Sequence, residues 1–519
     1  MNDKTNFVDN PKSYWLNMPP HTSYPTLSED IDVDVAIVGG GITGITTAYF
    51  LNKQGLKVVI LEADRILHGT TGHTTAKITS QHGLIYNKIK NKISEELARQ
   101  YADANESAIR TIENIMKDHN IECDFYEQSA YVYTQQDNYI DRIQSEASFA
   151  SSLGIKATFI NKIPLPIDIK AAVRFEKQAQ FHPLKFLYPL ADEFTKYGGK
   201  IYEQSRVVNL EQHSTYTLMT SNMKKVNARQ VIIASHYPFY NKHGLYFSRI
   251  YPERSYVVAI TAKDNYPGGM YITAEEPGIS FRSQISDQGE LIFVGGEHHK
   301  TGQGEETTHH YDTLLNVAKE TFTVQDVPYR WSTQDCMTID NIPYVGHLTS
   351  NTPNLYIATG YGKWGMTNSV ASAMILKDLI VNGKSEWQDV YTPSRHTISA
   401  STKNFVVENI NVAKELIKGK FGPLPTNIDI EVGEGKITEL NGHRAGIYKD
   451  ETGDLHVVNT TCPHMGCEIN WNAAEKTWDC PCHGSRFSYT GEVIEGPTVK
   501  PLDMNNDVST IQKLFKDDF

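Results

Sequence analysis

Residues 33–62 read VDVAIVGGGITGITTAYFLNKQGLKVVILE. An apolar run from Val33 to Val38 predicts a buried strand. It leads into Gly39-x-Gly41-x-x-Gly44, an amphipathic helix, and a second strand ending at Glu62. Gly39 permits the tight turn, Gly41 lets backbone approach a pyrophosphate, and Gly44 packs helix on strand. The helix N-terminus then faces the phosphates. Glu62 stands where a carboxylate accepts hydrogen bonds from an adenosine ribose. A glycine triplet alone is weak evidence; with strand, helix and acid in register it specifies a dinucleotide-binding α/β unit. It does not separate NAD from FAD.

The C-terminal end carries a second signal. CPHMGC begins at Cys462 and CPCHGSRF at Cys480. Two thiolates and two imidazoles form the mixed set of a [2Fe–2S] cluster in which two His replace two Cys on one iron. Zinc also takes Cys2His2 sets, though it needs no further cysteines. This stretch resembles the Rieske family, in its branch with a disulfide. The resemblance implies Cys462 and Cys480 on one iron, His464 and His483 on the other, and a Cys467–Cys482 bridge. It also implies a hydrogen bond from Ser485 to a cluster sulfur and a shielding loop at Gly496-Pro497. Phe487 stands where high-potential members carry Tyr. Fewer donors to the sulfurs imply a potential low in the Rieske range of roughly −150 to +300 mV.

Between these ends, RILHGTTGHTTAKIT follows the first acid, VNARQVIIASHYP supplies another buried strand, and WSTQDCMTIDNIPYVG precedes NLYIATGYGKWGMTNSVASAMILKDLI. In this order the segments resemble the D-amino-acid oxidase superfamily of FAD enzymes, which includes glycine and sarcosine oxidases. The resemblance covers roughly residues 30–390. It implies an FAD-binding Rossmann-like domain with an α+β substrate domain, followed by a small all-β Rieske domain. Expected boundaries are 1–395 for the body, with FAD-binding parts at 30–87, 165–235 and 332–395 and substrate parts at 88–164 and 236–331. A linker with a helix at Asn404 to Lys418 would fill 396–425, and the Rieske domain 426–519.

The resemblance further implies that Thr70, Thr71, His73, Val208, Gly360, Gly362, Lys363, Gly365 and Met366 contact FAD. The second glycine triplet, at 360–365, is followed by no strand with a terminal acid. Its helix N-terminus is therefore expected to stabilise negative charge on the reduced flavin rather than bind a second nucleotide. Members that oxidise amino acids hold the substrate carboxylate with an arginine after Trp-x-x-x; here Trp331 is followed by Asp335. An acid there repels a carboxylate and attracts an ammonium, so a cationic amine is expected. Arg282 is a further candidate for the substrate wall, and Lys363 for the flavin face. His73 and Cys336 are candidates for covalent flavin attachment. Cys123 reads as a core thiol.

Composition bounds the rest. A chain of 519 residues implies two or three domains, and a net charge of −12 argues against nucleic acid or an anionic membrane as partner. No apolar run suits a bilayer span and the first residues carry no signal peptide, so a cytoplasmic location without membrane insertion is expected. A disulfide beside a cluster persists in reducing cytosol if its potential is low enough. The expected activity is oxidation of a C–N bond with hydride transfer to FAD and one-electron transfer through the cluster to an external acceptor. An O2-using oxidase with a sensing cluster, or an electron-transfer protein feeding another enzyme, stays open.

Overall fold

The computed structural model describes residues 10–19, 21–240, 243–304, 306–395, 398–421, 429–440 and 443–503. The expected boundary at 425/426 and the end of the last domain, beyond 503, lie outside the described residues.

An eight-stranded sheet is built on Ile31–Val38, which pairs in parallel with Val58–Leu61 on one side and Lys225–Ile233 on the other. Lys200–Tyr202 extends it beyond the first neighbour, Leu355–Thr359 and Tyr344–His347 beyond the second. The central strands are continuous apolar runs because helices cover the sheet. The chain order reverses beside Ile31–Val38, and a crevice opens beyond the carboxyl ends of the strands at such a switch point. The helix Ile42–Asn52 differs from the expected amphipathic one. It is buried on nearly every side, Thr46 and Thr47 included, because Gly365–Asn382 packs across it.

A nine-stranded sheet forms the second wall. Its order runs Val324–Thr338, Ile250–Ala262, Gly289–Lys300, Ser280–Ser286, Met270–Thr273, Tyr126–Thr134, Ala171–Gln180, Lys77–Ile78, with Ala157–Ile160 paired to Ala171–Gln180. Hairpin pairing is antiparallel, and alternate residues of Val324–Thr338 face opposite sides. The linker is more regular than expected: one helix spans Ile398–Phe421, and its Val412 and Leu416 pack on the C-terminal core.

The C-terminal domain is all-β. Gly435–Leu440, His443–Lys449 and Leu455–Asn459 form one sheet; Asn470–Asn472, Thr477–Asp479, Arg486–Ser488 and Val493–Glu495 form another. No helix among the described residues is long and apolar enough to cross a membrane.

Candidate functional site

A cavity of about 540 Å³ runs from the carboxyl ends of the central strands to the nine-stranded sheet. At the nucleotide end Gly39 has φ +112°, and a Cβ there would sit 2.5 Å from Ala234 O. A Cβ on Gly44 would sit 1.9 Å from Gly39 O, so helix and turn meet backbone to backbone. Gly41 lines the cavity, and Ile42 N donates to Thr71 Oγ1 at 3.1 Å. Glu62 also lines it. Burial pushes its carboxyl up, against two amides that donate to it, Gly40 N at 2.7 Å and Asp64 N at 2.9 Å. These features fit a dinucleotide: glycines that admit no side chain, and an acid whose oxygens are aimed by backbone. Val208 is a correction. Val207 lines the cavity and Val208 does not, because neighbours on a strand face opposite sides.

The loop carrying Thr70, Thr71 and His73 is pinned from outside. Ser13 Oγ donates to Gly72 O at 2.6 Å, Trp15 Nε1 to Thr74 O at 2.6 Å, and Trp331 Nε1 to His73 O at 2.8 Å. His73 Nδ1 donates to Gly69 O at 2.9 Å, which leaves Nε2 as the acceptor nitrogen of a ring lining the cavity. The ring is surrounded by protein yet reachable through the cavity, and burial lowers its pKa. Cys336 is a second correction. Its side chain lies in the apolar cluster with Ile250 and Tyr344, away from the cavity, where burial pushes the thiol far up. Cys123 is a buried thiol, pushed up to about 12 by burial.

Gly360, Gly362, Lys363, Gly365 and Met366 line the far end, where the helix Gly365–Asn382 starts. Lys363 Nζ lies 3.2 Å from Glu253, and Trp364 stacks on His82. Asp335 lines the same wall. Burial raises its pKa, Lys363 opposes the rise, and Ser255 Oγ donates to Oδ2 at 2.9 Å. Arg282 is a third correction: it is fully buried behind the wall. Its Nε, Nη1 and Nη2 donate to Ser283 O, to Thr75 O and Ala76 O, and to Gln284 Oε1, and it does not line the cavity. Lys77, which the sequence did not single out, takes the lining position. Among the described residues its Nζ meets two hydroxyls, Thr75 and Ser280, each at 3.2 Å, and burial lowers its pKa to about 7.

In the C-terminal domain Cys467 and Cys482 form a disulfide, which leaves Cys462 and Cys480 as buried thiols. Cys480 Sγ is within 4.8 Å of both disulfide sulfurs, but those two have no free valence for a metal. Cys462 and Cys480 contact each other, and this shared hydrogen bond holds Cys462 down to about 7 and Cys480 well up. The amides of His464 and Met465 are directed at Cys462, those of Cys482 and His483 at Cys480. The Ser485 hydroxyl also reaches Cys462, while its oxygen accepts from Thr498 N at 3.2 Å. The rings of His464 and His483 lie 5.0 Å apart, and burial keeps both neutral. His483 Nδ1 is buried with no hydrogen-bond partner among the described residues. Two thiols, two neutral imidazoles and amides aimed at sulfur fit a [2Fe–2S] cluster. Phe487 is fully buried in this core and brings no hydroxyl.

The two sites meet. Ile494, Glu495, Gly496, Thr498 and Val499 line the same cavity, although they belong to the C-terminal domain. Arg254, 1% exposed on the nine-stranded sheet, pairs with Glu475 and lies 3.9 Å from Glu495. Arg486 in turn meets Glu475 at 2.5 Å, Asp479 at 3.1 Å and Glu495 at 3.6 Å. Sequence carries no signal for this joint, since its halves are far apart in the chain and read singly as surface charge.

The model of the DAO family, FAD dependent oxidoreductase, matches residues 34–379, and that of the Rieske [2Fe-2S] domain matches residues 424–511. The chain is 44% identical over 493 residues to the Bacillus subtilis protein YhfW, named for a Rieske 2Fe-2S iron-sulfur centre, covering 95% of this chain and 97% of that one. It is 23% identical over 409 residues to gamma-glutamylputrescine oxidoreductase of Escherichia coli, covering 74% and 91%. In fold it is similar to glycine oxidase from Geobacillus kaustophilus, with TM-score 0.60, 18% identity, and coverage of 70% of this chain and 99% of that one.

Proposed function

This chain belongs to the FAD dependent oxidoreductase family and carries a Rieske [2Fe-2S] domain, and from that premise we propose that it oxidises a cationic amine and exports the electrons singly to an external acceptor. The observation that carries the reading is the shared cavity wall: residues 494–496, 498 and 499 of the Rieske domain line the flavin cavity itself. An isolated oxidase has no need of that contact.

FAD supplies hydride acceptance and the cluster one-electron transfer. Gly39, Gly41 and Glu62 would hold the nucleotide half, and Thr70, Thr71, His73 and Gly360–Met366 the ring. The N-terminus of Gly365–Asn382 favours negative charge at the ring's end. Cys462, Cys480, His464 and His483 would hold the cluster.

Asp335 and Glu253 share the single charge of Lys363, so an acid remains on this part of the wall to attract an ammonium. Ser255 occupies Asp335 Oδ2, which leaves Oδ1 to take the substrate's proton before the C–N bond is oxidised. Burial places this carboxylate above its ordinary pKa, as a base of that task requires. The relative named for gamma-glutamylputrescine points to diamines acylated at one end as first candidates.

Anaerobic mixing with a panel of diamines, monoacylated diamines and α-amino acids tests this. The expected result is loss of flavin colour followed by cluster reduction with the amines. Bleaching by α-amino acids alone would overturn the substrate reading. Flavin bleaching with a cluster that stays oxidised would overturn the route. Redox titration of Phe487→Tyr should show a higher cluster potential than the parent, because a donor to sulfur is added.

A further inference from the structure

The two histidine loops of the Rieske domain lie in opposite environments. His483 is 3% exposed and sits edge-on to Phe247 of the flavin body, ring centroids 5.9 Å apart. The next residue, Gly484, has φ +72°, and a Cβ there would meet Pro252 at 2.5 Å. His464 is only half-buried, between exposed Pro463 and Met465, whose side chain is 51% exposed.

Gln334 joins the inner loop to the cavity. It is fully buried and lines the cavity wall. Its backbone oxygen accepts from His236 Nε2 at 2.9 Å and faces Thr70 Oγ1 at 3.4 Å, both residues of the flavin cavity. Its side chain crosses to the other domain, where Nε2 donates to Gly484 O at 2.9 Å. Thr301 Oγ1 fixes the amide orientation by donating to Oε1 at 2.8 Å. One residue thus touches the flavin wall on one side and the backbone beside His483 on the other. Further contacts hold the same loop: Gln303 Nε2 donates to Pro481 O at 3.1 Å, and a Cβ on Gly302 would lie 2.7 Å from Pro481 N.

Resting on the reading above, we infer that the loops are unequal ports: electrons enter the Rieske domain on the His483 side, across Gln334, and leave on the His464 side to a one-electron carrier. Each amine oxidised to an imine yields two electrons and two protons. Two carrier molecules are reduced by one electron each, and the protons pass to solvent. The Arg254–Glu475–Arg486 joint keeps the inner port closed against the body, so the domain need not swing between donor and acceptor. Gln334 is a positioning residue, since it acts through Gly484.

The test uses the full holoprotein, its flavin reduced by a light flash with 5-deazaflavin and EDTA, and cytochrome c as external probe. Gln334→Met should slow flavin-to-cluster transfer about tenfold, the scale of one hydrogen bond lost from the docked arrangement. Oxidation of a pre-reduced cluster by cytochrome c should stay at the parent rate. Met465→Lys should show the converse, because a like charge at the exit repels the cationic probe. Met223→Lys, at a 69%-exposed residue on a hairpin turn of the flavin body, should change neither. Gln334→Glu keeps the shape without the donor to Gly484 and should repeat the slowing. The reduced cluster's EPR spectrum should match the parent in every variant, and its potential should match in Gln334→Met, which adds no charge near the cluster.

Unchanged transfer in both Gln334 variants overturns the entrance. Equal slowing by Met465→Lys and Met223→Lys overturns the exit. No transfer in the unaltered protein overturns the proposed function as well, which separates the two failures.

Discussion

Two turns with the same letters, Gly39-x-Gly41-x-x-Gly44 and Gly360-x-Gly362-x-x-Gly365, line one cavity and do different work. In the first, glycine is demanded by backbone: Gly44 touches Gly39 O, and Gly39 touches Ala234 O. In the second, the last glycine has open space around it. Gly362 needs its φ of +57°, but a Cβ there would come no closer than 3.4 Å to the Met337 side chain. The second turn is held instead by a charged platform beneath it. A Cβ on Gly360 would meet Thr338 Cγ2 at 2.3 Å, and Thr338 Oγ1 donates to Ile342 O at 2.9 Å. Asp340 accepts from Ile342 N at 3.1 Å and pairs with Arg395 at 2.8 Å, both side chains nearly buried. The pattern therefore marks a place where backbone must come close or turn left-handed, and only the neighbours say which.

The contrast can be broken at graded cost. Gly44→Ala should be the most damaging, at least about 4 kcal/mol, because a backbone oxygen rather than a mobile side chain is displaced. Soluble yield and FAD content should collapse together. Asp340→Ala should cost about 3–4 kcal/mol, since Arg395 is left buried and unpaired. That loss depends on pH in a defined direction. Burial pushes the Asp340 carboxyl up, but Arg395, together with donors from Ile342 and Thr338, offsets it and holds it below the ordinary value. Its stabilisation is therefore complete above the ordinary aspartate pKa of about 3.9 and is lost as pH falls through the depressed one. Unfolding midpoints of parent and variant should converge in acid. Gly362→Ala should cost about 1 kcal/mol, the strain of a left-handed residue. Gly365→Ala should shift the unfolding midpoint least, by about 0.5 kcal/mol in the stabilising direction, as alanine in place of glycine at a helix start. A Gly365→Ala variant as damaged as Gly44→Ala would show that the two turns do the same work.

The turn at 39–44 was legible because every feature that defines it lies within thirty residues of sequence. The cluster motif was legible for the same reason, with its ligand types and their spacing written in two short loops. The substrate end was not. Val208 missed by one residue because the face of a short strand depends on register. Cys336 missed because it alternates with Asp335 on Val324–Thr338. Arg282 was drawn to the wall by charge, yet Thr75 and Ala76 supply carbonyls that turn it away, and Lys77 takes the open position. The joint at Arg254, Gln334, Gly484 and Glu495 needed the docked domains, since no local period reports which surfaces meet.

Electrons should pass from the flavin cavity to the cluster within one chain. Flash reduction of the flavin under argon, followed by the cluster's EPR signal across a hundredfold range of protein concentration, tests it most directly. Transfer within one chain gives a first-order rate that does not depend on concentration. A rate proportional to protein concentration would contradict it, because the electrons would then be crossing between molecules.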